Sequence, residues 1–332
     1  MNRTVPALVV LTARERALFF PGALEKRLRA LLPTACYFNP EELNANWHKI
    51  MRTSSPEIIV SSWSTPLIPA DLPPLRYVCH TGGSIRHFLP RLALERGVLV
   101  TNWGTTLSET VAEAALSMTL AALRRTQHFG EVMHRGLGWE QSPAGTLSLF
   151  ERRVGIHGFG AISRCLVPLL RPFRTPIRVF SEHVPDSELA KFNVERAQSL
   201  EDLFGWADIL IELAALTLAT QGMVTADLLG RLRPGSIFVN VGRGKVVDED
   251  ALYRIALKSG VRIALDVYRA EPLPRESPLR GLDDVTLFPH VAGLPADRIA
   301  LAGELALRNL EHYMRGEELE AVFTTEMFDR ST

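Results

Sequence analysis

The chain is poor in the residues that would place it in several large classes. It has three cysteines in 332 residues, Cys36, Cys79 and Cys165, too few and too scattered for a disulfide framework or a zinc site. Neither sign of charge is in excess: 37 Lys and Arg balance 37 Asp and Glu, and no long run of one sign occurs. That balance argues against nucleic acid or an anionic membrane as the main partner. No apolar stretch is long enough to cross a bilayer. The first apolar run, Pro6 to Leu11, is too short for a signal-peptide core and reads as a strand. A cytoplasmic protein is the expectation. His80, His87, His128 and His134 have no metal-ligand spacing, and no metal is expected.

What is present is apolar material, 46% of the chain, enough for two buried cores rather than one at this length. Short apolar or β-branched runs alternate with helical patterns throughout, the signal of βαβ units around parallel sheets. The first series offers strands at Ala7–Leu11, Glu57–Ser61, Arg76–Cys79 and Val98–Thr101. A break follows at Asn102, then a helix to about Arg125 with apolar residues on nearly every face. Such a helix is buried, between domains or between subunits. The second series runs through Val154–His157, Ile177–Phe180, Asp208–Leu213, Ser236–Val241, Arg262–Val267 and Val285–Phe288. A last helix, Ala296 to Arg315, stops at Gly316 and could return to the first domain.

Val154-Gly-Ile-His-Gly-Phe-Gly-Ala-Ile-Ser-Arg164 reads as strand, glycine turn, then helix. Gly158 and Gly160 hold the first two places of a G-x-G-x-x-G dinucleotide fingerprint. The backbone there must turn sharply and approach a pyrophosphate at a helix N-terminus. Ser163 takes the third glycine's place, so the fingerprint is imperfect. About twenty residues on, Glu182 is the candidate ribose anchor, with Ser181 one place earlier. A carboxylate there repels a 2′-phosphate and favours NAD; Ser181 in that place would admit NADP. His157 could touch the cofactor or be an ordinary buried residue.

Three polar residues each follow directly on a strand of the second series: Arg243, Glu271 and His290. In an open α/β sheet, side chains past the carboxyl ends of the strands line the ligand crevice. Singly, an arginine after a strand is usually a surface ion pair, a Pro-His pair a turn, and a Glu before proline a loop acid. Together and in this order they make a proton-transfer site with a grip for an anion. Reducing a 2-keto acid adds hydride to carbon and a proton to oxygen, so a proton donor and a cation should face that oxygen. Histidine as a residue type exchanges its proton near neutral pH, and a neighbouring carboxylate orients the ring. Arginine stays charged and binds a carboxylate through two parallel hydrogen bonds.

These residues carry a resemblance. Asn240-Val-Gly-Arg-Gly-Lys-Val-Val-Asp-Glu249, Ala264-Leu-Asp-Val-Tyr-Arg-Ala-Glu-Pro-Leu-Pro274 and Phe288-Pro-His-Val-Ala-Gly293 resemble the three signature segments of the D-isomer-specific 2-hydroxyacid dehydrogenases. Thr81-Gly-Gly-Ser84, Thr110-Val-Ala-Glu113 and the glycine turn follow in family order. The resemblance implies two Rossmann/flavodoxin-like α/β domains with parallel sheets. A cofactor domain (102–290) would be inserted into a discontinuous substrate domain (1–101 and 291–332). It makes Arg243 the substrate ligand, His290 the acid/base, Glu271 its partner, and Asp266 a nicotinamide-side residue, although a strand-end Asp can also be a cap.

By the same resemblance Gly82 and Gly83 lie in the loop holding the substrate carboxylate, with Trp63 near the substrate. Cofactor contacts are expected at Gly158, Phe159, Gly160, Ala161, Ile162, Glu182, Val241, Gly242, Asp266, His290 and Gly293. A homodimer built on the cofactor domain is implied, and Trp139 sits in an arm that could reach across it. Leu213 and Ala215 depart from the pattern, standing where relatives usually carry a His and a Pro. The expected activity is NAD(H)-dependent reduction of a small 2-keto acid such as glyoxylate or hydroxypyruvate. Competing readings are formate- or phosphite-type oxidation, 3-phosphoglycerate oxidation, and a dinucleotide-sensing, co-repressor-like binding protein. Formate-type members tend to be longer at the N-terminus, and a chain of this length leaves no room for a C-terminal regulatory domain.

Overall fold

The computed structural model describes residues 5–42, 46–69, 74–136 and 145–330. Trp139 lies outside them. The chain divides into two compact units, Met1–Leu107 with Leu294–Thr332, and Ser108–Gly293.

The first unit is built on five parallel strands: β1 (Ala7–Val10), β2 (Cys36–Phe38), β3 (Ile58–Ser61), β4 (Tyr77–His80) and β5 (Leu99–Thr101). Their order is β2-β1-β3-β4-β5, the flavodoxin-like arrangement. β1, β3 and β4 are buried along their whole length, as strands covered by helices on both faces must be. The expected strands thus form, three of them one residue shorter and β4 shifted one residue onward. β2 was not expected; it is a three-residue edge strand whose half-exposed Cys-Tyr-Phe gives little apolar signal.

The helix Ala300–Arg315 lays Ala302, Ala306, Leu307 and Leu310 on the core shared with Val9, Phe19 and Tyr77. It starts four residues later than the sequence suggests, because 296–299 forms turns. A Cβ at Gly303 would fall on the carbonyl of Phe19, so this crossing requires glycine. Gly316 closes the helix in the left-handed conformation (φ 71°).

The second unit holds seven parallel strands: β6 (Val154–His157), β7 (Ile177–Phe180), β8 (Glu195–Arg196), β9 (Ile209–Glu212), β10 (Ile237–Asn240), β11 (Arg262–Leu265) and β12 (Val285–Leu287). The order β12-β11-β10-β9-β6-β7-β8 is the doubly wound Rossmann pattern extended by one strand. The connection reverses direction between β6 and β9, the switch point at which such sheets bind ligands. β8 was not expected; it has two residues, both polar, at the sheet edge.

The helix Ser108–Arg124 buries Ala112, Ala115, Met118, Ala122 and Leu123 in this unit's core, beside Leu166, Val167 and Val239. Its small residues let it lie close against the helix Ala161–Leu170.

Candidate functional site

The glycine turn leaves β6 at its carboxyl end. Gly158 has φ +91°, and a Cβ there would lie 2.8 Å from the backbone of Ala214, so side chains are excluded twice over. Gly160 differs: a Cβ would meet nothing within 4 Å, so the backbone is open on that side. It caps the ten-residue helix Ala161–Leu170 with no side-chain hydrogen bond, leaving the first amides for a ligand. Ser163 is fully buried and its hydroxyl donates to the Gly158 carbonyl at 2.8 Å. The missing third glycine is therefore replaced by a bond that closes the turn.

Phe159 turns its ring into the core against Phe192, at 5.4 Å between centroids, leaving its backbone to the turn. Ala161 and Ile162 are half-buried in the first helical turn. This open cradle fits a dinucleotide pyrophosphate. Glu182 is exposed just past β7. The loop carrying it is pinned by Arg196, which donates to the Ser181 carbonyl at 2.9 Å. On the neighbouring strand end, Val241 is buried. A Cβ at Gly242 would lie 3.1 Å from the Glu212 carbonyl, so the ends of β9 and β10 touch through backbone.

Arg243, Glu271 and His290 lie past the ends of β10, β11 and β12. The Asn240 side chain shapes the turn that presents Arg243: its carbonyl oxygen accepts from Gly242 N–H at 3.0 Å and its amide donates to the Arg243 carbonyl at 3.2 Å. Arg243 Nη1 donates to the Gly242 carbonyl at 2.7 Å. Burial lowers the guanidinium pKa, while the Glu271 charge opposes that shift. Gly244 is obligatory, since a Cβ there would coincide with the backbone of Tyr268. Glu271 is the shared neighbour of the set. Its Oε1 accepts from Tyr268 N–H at 2.9 Å and its Oε2 pairs with His290 Nδ1 at 2.7 Å. Burial pushes the Glu271 carboxyl up. The bond to His290, the Tyr268 amide and the His290 and Arg243 charges outweigh that, so its pKa is lowered.

His290 has φ +55°, unusual for a residue with a Cβ and costing on the order of 1 kcal/mol or more. What holds it is Asp266, whose oxygens accept from Val291 N–H at 2.8 Å and Ala292 N–H at 3.0 Å. The Tyr268 hydroxyl also grips the strand leading in, donating to the Phe288 carbonyl at 2.6 Å. Gly293 closes this stretch, with Val111 at 3.4 Å from where its Cβ would be. Half of the His290 side chain is exposed (49%).

In the first unit, Gly82 and Gly83 follow β4. Their carbonyls are fixed by Trp103 N–H at 3.1 Å and by the Asn102 amide at 2.7 Å. Among the described residues no acceptor meets either glycine's own N–H. A Cβ on Gly82 would lie 2.6 Å from His80 Nε2 and 2.7 Å from Trp63 Nε1; one on Gly83 would lie 2.7 Å from Trp103 Nε1. Trp63 packs between Phe19 and Trp103. Two free amides beside an indole wall suit a small carboxylate. Below them the His80 imidazole, buried and paired through Nδ1 with Ser61 Oγ at 3.0 Å, has its pKa lowered to about 3, mainly by desolvation.

Sequence reasoning missed the strongest buried pair in the second unit. His157 Nδ1 meets Glu212 Oε2 at 2.6 Å, and Glu212 Oε1 accepts from Ala214 N–H at 2.8 Å. The signal was available. These are the last residues of β6 and β9, polar after apolar runs, and the Rossmann order sets them side by side.

Residues 116–292 match the family model described as D-isomer specific 2-hydroxyacid dehydrogenase, NAD binding domain. The chain is 31% identical over 250 residues to a glyoxylate reductase of Korarchaeum cryptofilum, covering 74% of this chain and 75% of that protein. It is 34% identical over 233 residues to a glyoxylate reductase of Thermococcus kodakarensis, covering 68% and 69%. An NADPH-dependent glyoxylate/hydroxypyruvate reductase from Sinorhizobium meliloti superposes with a TM-score of 0.80 at 25% identity, over 98% of this chain and 99% of that one. With its Rossmann sheet, glycine turn and three signature segments, the chain belongs to the D-isomer specific 2-hydroxyacid dehydrogenases, NAD-dependent oxidoreductases of 2-hydroxy acids.

Proposed function

We propose that this enzyme reduces a small 2-keto acid, of the glyoxylate or hydroxypyruvate class, to the D-2-hydroxy acid with NADH. The observation that carries the reading is Glu271, bonded to His290 and charge-paired with Arg243 at the carboxyl ends of three adjacent strands. When bound, the nicotinamide supplies the hydride. His290 Nε2 gives the proton to the substrate oxygen, and Glu271 holds the ring by its other nitrogen. Arg243 takes the carboxylate and carbonyl oxygens, stabilising charge that develops on reduction. Within the first unit, the amides of Gly82 and Gly83 and the indole of Trp63 are the candidate substrate contacts. The unit carrying them is thus the substrate domain.

Gly158 to Ile162 hold the pyrophosphate and Glu182 the adenosine ribose, with Val241, Gly242, Asp266 and Gly293 lining the cofactor's path. The names of the relatives support the substrate class. The bulk and close approach of Trp63 and Trp103 favour a short acid. We also read the protein as a cytoplasmic homodimer assembled through the cofactor domain, with no nucleic-acid or membrane partner. The balanced charge speaks against a nucleic-acid partner, and no helix among the described residues is long and apolar enough to cross a membrane.

The test is NADH oxidation by purified protein across a panel of 2-keto acids. Turnover of glyoxylate or hydroxypyruvate is expected. Tight NADH binding with no turnover of any member would defeat the reading.

A further inference from the structure

The last residues of β6 and β9 face one another across the switch point, directly in register. A buried charge is costly, and a buried acid–imidazole pair rarely stabilises a fold better than two apolar side chains would. Here the pair stands at the ligand-binding edge of the sheet, one residue before the phosphate turn. His157 is only 4% exposed and Glu212 fully buried.

Glu212 is itself anchored, one oxygen on the Ala214 amide and the other on His157 Nδ1. That leaves His157 Nε2. Among the described residues it has no hydrogen-bond partner, and the side chain keeps 5% exposure. The imidazole is thus buried, oriented by a carboxylate, and left with one open nitrogen at the edge where a dinucleotide sits.

We propose that His157, held by Glu212, is an adenosine-ribose ligand that works with Glu182 to select NADH over NADPH. The Nε2–H donates to a ribose hydroxyl oxygen, and the Glu182 carboxylate accepts a hydroxyl proton. A vicinal diol offers both; a 2′-phosphate removes the 2′-hydroxyl proton, leaves only the 3′-hydroxyl to donate, and brings its negative charge against the Glu182 carboxylate. The charge around this point also disfavours a phosphate, with two carboxyl groups, Glu212 and Glu182, against one imidazole.

Burial pushes the His157 pKa down, but the Glu212 charge and hydrogen bond and the Glu182 charge outweigh it, so the pKa is raised. The groups facing His157 are Glu212 from β9 and Glu182 beyond β7, with the uncharged Phe180 ring 5.9 Å away. NADH affinity therefore falls as pH rises through the raised His157 pKa and the donor's charge is lost.

This inference rests on the cofactor half of the function proposed above, including the ribose role of Glu182. Its readout is dinucleotide binding alone, so failure to reduce any keto acid leaves it standing. Dissociation constants for NADH and NADPH are measured on the full chain by nucleotide fluorescence from pH 6 to 9. The double variant His157→Leu/Glu212→Leu removes both charges and strands neither. It should weaken NADH about tenfold, leave NADPH nearly unchanged, and flatten the pH profile. Glu212→Gln keeps a hydrogen-bond partner but removes the counter-charge, and should move the fall in NADH affinity to lower pH. An unchanged NADH/NADPH ratio in the folded double variant overturns the proposal. Should that variant not fold, a pH profile that does not move in Glu212→Gln overturns it equally.

Discussion

Glu271 and His290 are joined at 2.7 Å between Oε2 and Nδ1, and the same carboxylate holds the Tyr268 amide with its other oxygen. The acid is therefore fixed before it orients the imidazole. Replacing it with Gln keeps a hydrogen-bonding group and removes the charge. Glu271→Gln should lower kcat by about 10- to 100-fold with little change in NADH affinity, as for a lost general acid–base partner. Steady-state kinetics beside nucleotide titration separate the two effects.

The same carboxyl links stability to pH. Its pKa is lowered in the folded protein, so its stabilisation is present above the ordinary carboxylate range and lost as pH falls through the folded value. The group is about a third exposed, so solvent screening keeps the effect small. Urea midpoints of the wild type and Glu271→Gln should differ at pH 7 and draw together as pH falls below the ordinary carboxylate range.

Arg243 is asked for both charge and a two-pronged grip. Arg243→Ala should cost about 2.7–4 kcal/mol of transition-state stabilisation, a fall of roughly 10²–10³ in kcat/KM. Arg243→Lys should recover only part of it, because an ammonium keeps charge and loses the fork. An Arg243→Lys enzyme as active as the wild type would remove arginine from the reacting groups.

A methyl group on Gly82 would meet His80 Nε2 and Trp63 Nε1, both inside van der Waals distance. Gly82→Ala should raise KM for the keto acid while leaving the NADH dissociation constant unchanged. Gly158→Ala should do the reverse and abolish nucleotide binding, since its backbone and its space both exclude a side chain.

His80 gives a second pH signature, opposite in origin to that of Glu271. Desolvation holds the folded imidazole neutral down to about pH 3, while the unfolded chain takes up a proton near pH 6.5. The unfolded state binds more protons between those values, so stability falls with acidification by up to roughly 1.4 kcal/mol per pH unit. His80→Gln should flatten that slope between pH 6.5 and 4.5 in urea unfolding series.

Much of this was readable from the residues. β1, β3, β4 and the central strands of the second sheet are mostly apolar runs, because a strand covered on both faces is buried along its length. β2 and β8 were not readable, since edge strands of two or three half-exposed residues carry neither a run nor an alternation. Arg243, Glu271 and His290 each stand within a few residues past the end of a strand, where position alone draws attention. His157 and Glu212 lie 55 residues apart, and their meeting depends on which strands are neighbours. Ser163 looked like a defect in the glycine fingerprint, and only its bond to Gly158 reveals a substitute.

The left-handed backbone at His290 has a practical bearing on how an inactive control should be made. Alanine would remove the imidazole but leave a residue ill suited to that conformation, so the loop anchored by Asp266 could relax and take the nicotinamide side with it. Asparagine visits the left-handed region readily and cannot act as an acid at neutral pH. His290→Asn should therefore silence the chemistry while keeping the architecture, which makes it the cleaner choice for trapping a ternary complex.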